Sequence, residues 1–137
     1  MILVIMSIII TATSQSLGAT TIGHCYGRFL IDDGGYAPGD YYDVYIRLET
    51  SDPLATNWVH YGQYNYQGQS IAFSNVNVGD VPYPAPVPPN YYSIGVLVIK
   101  NDNTGSPYYN NSYASPSYID AYNTRFDAVT SPIVIKI

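Results

Sequence analysis

Apolar and polar residues alternate most cleanly from Tyr41 to Thr50. Tyr42, Val44, Ile46 and Leu48 fall on one side of an extended chain there, and Tyr41, Asp43, Tyr45, Arg47 and Glu49 on the other. A period of two marks a strand with one buried face, so this run predicts a core strand with a polar outer surface. Ser93–Lys100, SIGVLVIK, is apolar at both parities and predicts a central strand covered on both faces. Shorter extended candidates are Cys25–Ile31, Asn57–Tyr66, Ser70–Val78, Tyr118–Asn123, Phe126–Val129 and Pro132–Ile137. Turn formers separate them at Asp32-Asp33-Gly34-Gly35, Ala37-Pro38-Gly39-Asp40, Ser51-Asp52-Pro53 and Gln67-Gly68-Gln69. The last of these predicts a hairpin between 57–66 and 70–78. Pro82–Pro89 reads as a polyproline connection, and Asn101–Ser117, NDNTGSPYYNNSYASPS, as a long polar loop. No stretch after Ala19 combines helical apolar spacing with caps. The pattern predicts an all-β chain, with 20–137 forming one immunoglobulin-like antiparallel β-sandwich. Val44, Ile46, Leu48, Val96 and Val98 are its expected core, with Trp58 filling it.

The segment before that domain, 1–19, opens MILVIMSIII and carries no charge. Water does not tolerate such a run unaided, so it must be removed, enter a membrane or be buried by another chain. As a signal peptide, Met1–Ile10 is an apolar core with a small-residue exit at Ser16-Leu17-Gly18-Ala19, although no basic residue precedes Arg28. As a transmembrane helix it stops short of the roughly 20 apolar residues required. As a retained strand, Ile2, Val4, Met6, Ile8 and Ile10 face one side and Leu3, Ile5 and Ile9 the other. A strand apolar on both faces suits insertion between sheets. Cleaved leader and retained assembly element both stay open.

Composition narrows the functional classes. Only 11% of residues are charged, well under the roughly 25% of ordinary domains. The net charge is −5 and the five basic residues are scattered, which argues against a nucleic-acid partner. An aromatic content of 15%, with 16 tyrosines, argues against a disordered chain. Cys25 is the single cysteine, so no internal disulfide staples the domain. It follows Ile22-Gly23-His24, and His24 is too bulky for a lipoprotein processing site. A buried small hydrophobe is the expected role of this thiol.

Catalytic patterns are missing from the sequence. There is no phosphate-binding glycine loop, GxSxG elbow or HExxH, and His24 and His60 lack metal-site spacing. The expectation is a non-enzyme without a cofactor. Asp32, Asp33, Asp40 and Asp43 form a weak calcium candidate, because hard oxygens from turns suit that ion. Asp more commonly serves the turn itself. Tyr41, Tyr45, Tyr61, Tyr91 and Tyr92 read as exposed aromatics, fit either to stack on sugar rings or to form subunit contacts. Asn110-Asn111-Ser112 is a glycosylation sequon, with Asn110 in the expected loop.

The apolar MILVIMSIII, the sandwich-like run from YYDVYIRLET to SIGVLVIK and the sequon at Asn110 together resemble extracellular filament subunits, especially pilin and thread proteins of thermophilic archaea. The likeness covers the whole chain as organisation and rests on no specific motif. It implies a secreted, cell-surface structural subunit that polymerises with copies of itself and carries glycans, meeting a membrane only during export. Its assembly segment would be Ile2, Leu3, Val4, Ile5, Met6, Ile8, Ile9 and Ile10, inserted as a donor strand rather than bundled as a helical pilin core. The alternatives are a secreted carbohydrate-binding sandwich or a viral or envelope structural protein.

Overall fold

Inward-facing residues follow a strict period of two along the first strand, β1 (Thr20–Asp32), where Thr21, Gly23, Cys25, Phe29 and Ile31 point into the core. The computed structural model describes residues 19–51, 55–82, 91–102, 104–119, 123–128 and 131–137. Seven further strands follow: β2 (Tyr42–Thr50), β3 (Val59–Tyr64), β4 (Ser70–Pro82), β5 (Tyr92–Lys100), β6 (Pro107–Tyr118), β7 (Asn123–Ala128) and β8 (Ile133–Lys136). Among the described residues there is no helix. The fold is all-β and sandwich-like, as the sequence predicts.

One hydrogen-bonded path runs β3-β2-β5-β6-β7-β1-β4, with β8 also beside β1. It curls until its two ends, β3 and β4, face each other, so the sheet is nearly a barrel. Across that seam the Tyr61 hydroxyl donates to the Ala72 carbonyl at 3.1 Å. Beneath it Phe29, Tyr61, Tyr64 and Phe73 meet edge to face or stacked, with ring centroids 5.5–6.4 Å apart. The core elsewhere is built from the alternating faces of β2 and β5. Val44, Ile46, Leu48, Val96 and Val98 are buried as expected.

Edge strand β4 breaks the period that β1 keeps. Its inward residues are Ile71, Phe73, Val76, Val78 and Val81, spaced by two, three, two and three. Each gap of three is a bulge opposite an uninterrupted β1, at the register shifts Gly23/His24 and Cys25/Gly27. Each extra residue returns the next apolar side chain to the core. Asn75 (φ 56°) and Gly79 (φ 84°) supply the left-handed backbone these bulges use. Bulges also bend an edge away from flat pairing with other chains.

Several sequence expectations are corrected. The sandwich is not purely antiparallel, because β1 pairs in parallel with β7 and then with β8. The last two strands share the lane beside the first, and the long chain between them and β1 permits the crossover a parallel pair needs. The predicted 57–66/70–78 hairpin does not form. β3 pairs β2 and β4 pairs β1, so the two strands put their apolar faces against each other instead. Asn101–Ser117 is not a loop, because its larger part is β6, paired along β5 from Tyr92↔Ala114 to Ile99↔Pro107. Pairing with the apolar β5 outweighs the local turn propensity. Pro107 opens the strand and Pro116 lies past the end of β5, where one side is open, both settings that tolerate proline. Tyr118 closes β6, and the final strand before β8 begins at Asn123 rather than Phe126. Trp58 is not in the core but half-buried on the outer face. Tyr92, expected outside, is 2% exposed.

Gly27 tests the packing directly. A Cβ there would stand 2.5 Å from Phe73 Cζ and 2.7 Å from Ala128 Cβ. Gly27→Ala is expected to destabilise the domain by about 1–3 kcal/mol through overpacking. Gly34→Ala, with nothing within 4 Å of the new Cβ, is expected to change stability by less than about 0.5 kcal/mol. Denaturant titration of both variants checks the contrast.

Candidate functional site

On the outer face, β2, β5 and β6 build a depression of about 480 Å³ lined by Arg47, Glu49, Thr50, Ala55, Trp58, Leu97 and Tyr109. Period two places Arg47 and Glu49 side by side, and the ladder places Gly95 and Asn111 in register beside Arg47. Glu49 Oε1 accepts from Arg47 Nε and Nη2, both at 2.7 Å. Its Oε2 accepts from the Tyr109 hydroxyl at 2.5 Å, Asn111 Nδ2 at 3.3 Å and Ser93 Oγ at 3.4 Å. Gly95 leaves room for the carboxylate, since a Cβ there would stand 2.8 Å from Oε1 and 3.2 Å from Trp58 Cη2. The Arg47 guanidinium lies 4.2 Å from the Trp58 ring centroid, and Tyr109 meets Trp58 edge to face at 6.1 Å.

Burial pushes the Glu49 carboxyl up, but the Tyr109, Arg47 and Asn111 hydrogen bonds outweigh it and hold the group below its ordinary 4.5. Burial, then the hydrogen bond to Glu49 and its charge, pushes Tyr109 up to about 12, so its hydroxyl remains a donor. A carboxylate so held stays ionised at neutral pH and offers no proton for general-acid chemistry. Farther along this face Asp43 accepts from Gln63 at 3.3 Å and meets His60 Nε2 at 3.0 Å.

The pole where β1 ends and β2 begins is tied by polar bonds. Lys100 Nζ sits 2.7 Å from Asp33 Oδ2 and 3.1 Å from Asp40 Oδ2. The Tyr42 hydroxyl donates to Asp33 Oδ2 at 2.6 Å, and the Gly35 N–H to Asp33 Oδ1 at 2.8 Å. Burial works against the Asp33 charge, yet Lys100, Tyr42 and Gly35 together hold its carboxyl below the ordinary 3.8. The Asp33 hydrogen bond raises Lys100, against its own desolvation.

The opposite pole is mostly apolar. Leu48, Ala55, Val81, Pro82 and Tyr92 line a pocket of about 240 Å³, together with three threonines and the carboxylate-bearing Asp80. That exceeds the roughly 150 Å³ cavity that accepts a benzene ring. Ile22 (42% exposed), Tyr91 (51%), Tyr118 (52%) and Ile119 (53%) lie at the same pole.

The four acidic residues are thus divided. Asp33 and Asp40 hold the Lys100 ammonium, Asp43 faces His60, and Asp32 stands in register with Lys136. Among the described residues no group of three or more His, Cys, Asp or Glu side chains is arranged to hold a metal. Asn110 is exposed on β6 rather than in a loop, and its Nδ2 donates to the Val134 carbonyl at 2.9 Å. Cys25 is fully buried and unpaired, and burial, then Asp127, pushes its thiol far up. The assembly residues Ile2, Leu3, Val4, Ile5, Met6, Ile8, Ile9 and Ile10 lie outside the described residues. Sequence reasoning missed Gly95, Tyr109, Asn111 and Lys100. A lysine at the inward parity of SIGVLVIK was the available signal, because a charge there demands partners. No family model, curated protein or solved structure matches this chain.

Glu49 gives the pH prediction. A folded-state value below 4.5 means its contribution is complete above 4.5 and lost as pH falls through the folded value. Glu49→Gln is therefore expected to cost about 1–3 kcal/mol at pH 7, by the worth of hydrogen bonds to a charged group. The difference from wild type should shrink steadily below pH ~4. Urea denaturation across that range measures it.

Proposed function

We propose that this protein is a non-catalytic structural subunit of an extracellular filament or pilus, assembling with copies of itself through its apolar N-terminal segment. The observation that carries the reading is the exposed apolar side chains at the pole where β1 begins. Ile22, Tyr91, Tyr118 and Ile119 are exposed there, an open pocket lies at the same end, and the uncharged Met1–Ala19 precedes that point in the chain. Monomeric proteins keep such patches small, and tyrosine supplies contact area with little entropy loss. The strand-donor form is the one favoured here, because ten extended residues span roughly 33 Å and an added strand gains a main-chain ladder. Glycans on Asn110 belong to the same reading.

Electron microscopy of the full chain and of a chain lacking Met1–Ile10 tests this. The full chain is expected to form filaments and the shortened chain to stay dispersed. A full chain that remains a monodisperse monomer at high concentration contradicts the proposal.

A second reading, a saccharide-binding module, is favoured by the outer depression, where Trp58 and Tyr109 stand beside an ion pair and Thr50. Trp58 is the single tryptophan, so its fluorescence reports on that site alone. A saturable emission change with neutral oligosaccharides supports this reading, and none is expected if the depression is only structural.

A further inference from the structure

We propose that Lys100 and Asp33 condense into an intramolecular amide, a covalent link between the end of the central strand β5 and the end of β1. This goes beyond the filament reading and does not depend on it. The reactants are the ion pair already described, with Nζ 2.7 Å from Oδ2 and side chains only 9% and 1% exposed. A nitrogen hydrogen-bonded to a carboxylate oxygen stands roughly 3–3.5 Å from the carboxyl carbon, the separation of near-attack conformers. Burial on both sides excludes the water that favours separated ions.

The surrounding groups have the placement the reaction needs. Oδ1, which becomes the amide oxygen, already accepts the Gly35 N–H at 2.8 Å, where that dipole stabilises charge growing on the oxygen during attack. Oδ2, the oxygen that leaves, accepts the Tyr42 hydroxyl at 2.6 Å. Asp40 Oδ2, 3.1 Å from Nζ, is the base that takes a proton from the ammonium. Asp40 is itself held by the Ala37 N–H at 2.8 Å.

The balance closes without oxidant or cofactor. The ammonium gives up one proton to Asp40, and the freed lone pair forms the Nζ–Cγ bond. A second proton leaves Nζ, the Cγ–Oδ2 bond breaks, and both protons depart with Oδ2 as one water molecule, relayed by Asp40 and the Tyr42 hydroxyl. The neutral amide keeps the existing bonds: its oxygen retains the Gly35 N–H, and its N–H retains the Gly35 carbonyl, 3.2 Å from Nζ. A chain with one buried cysteine gains in this way the cross-link that a disulfide supplies in other small domains.

Mass spectrometry of the denatured full chain tests the proposal. The expected mass is that of its own sequence, from whatever residue the mature chain starts, less one water. Trypsin should fail to cut after Lys100 and should release a branched peptide joining Asp33 to Lys100. Lys100→Met and Asp40→Asn are expected to show the full mass, the second while still folded by circular dichroism. A folded wild-type chain at full mass, cut after Lys100, overturns the proposal, as does water loss that persists in Lys100→Met. The wild-type mass decides the matter even if a variant fails to fold.

Discussion

The lane occupied by β1 is the constraint on which the rest of this fold depends. It is hydrogen-bonded to β4 on one side and to β7 and β8 in turn on the other, so one strand joins the start, middle and end of the chain. Its inner face is made thin by Gly23 and Gly27, against which Phe73, Val78, Val81 and Phe126 pack. Larger residues there would part the two layers. The bulges of β4 follow from the same requirement. β1 keeps its register, so its neighbour must absorb the extra residues to keep its valines inside.

From this lane the two poles acquire opposite characters. Where β1 ends, Asp33, Asp40, Tyr42 and Lys100 close the molecule with short polar bonds. Gly68 N–H to Ile31 O at 2.8 Å and Ile137 N–H to Asp32 O at 2.9 Å bring the neighbouring turn and the chain's last residue to the same place. Where β1 begins, apolar side chains remain exposed around an open pocket. Such asymmetry suits the proposed assembly, in which the apolar end receives a neighbour. Only 11% of residues are charged, and in the proposed assembly a copy covers the apolar side chains exposed at that pole.

Much of the architecture was legible because period two survives wherever one face is buried. YYDVYIRLET and SIGVLVIK state their own burial, and β2 and β5 match them almost residue for residue. What escaped was decided by partners distant in sequence. NDNTGSPYYNNSYASPS reads as loop by composition, and only β5 alongside turns most of it into β6. Ser70–Pro82 hides its inward valines behind two bulges that no fixed period detects. Trp58 looks like core by size, yet Arg47 and Tyr109 draw it to the outer surface, where Gly95 makes space beside it. The acidic turns were visible, but not their purpose, because Lys100 lies far along the chain from Asp33.

In the proposed assembly the apolar pole is covered by another copy of this chain. Oxidative footprinting of its tyrosines, on dissociated subunits and on assembled material, tests it most directly. Tyr91 and Tyr118 are expected to react readily in the free subunit and to be protected on assembly. Equal modification of both residues in the two states would contradict the account.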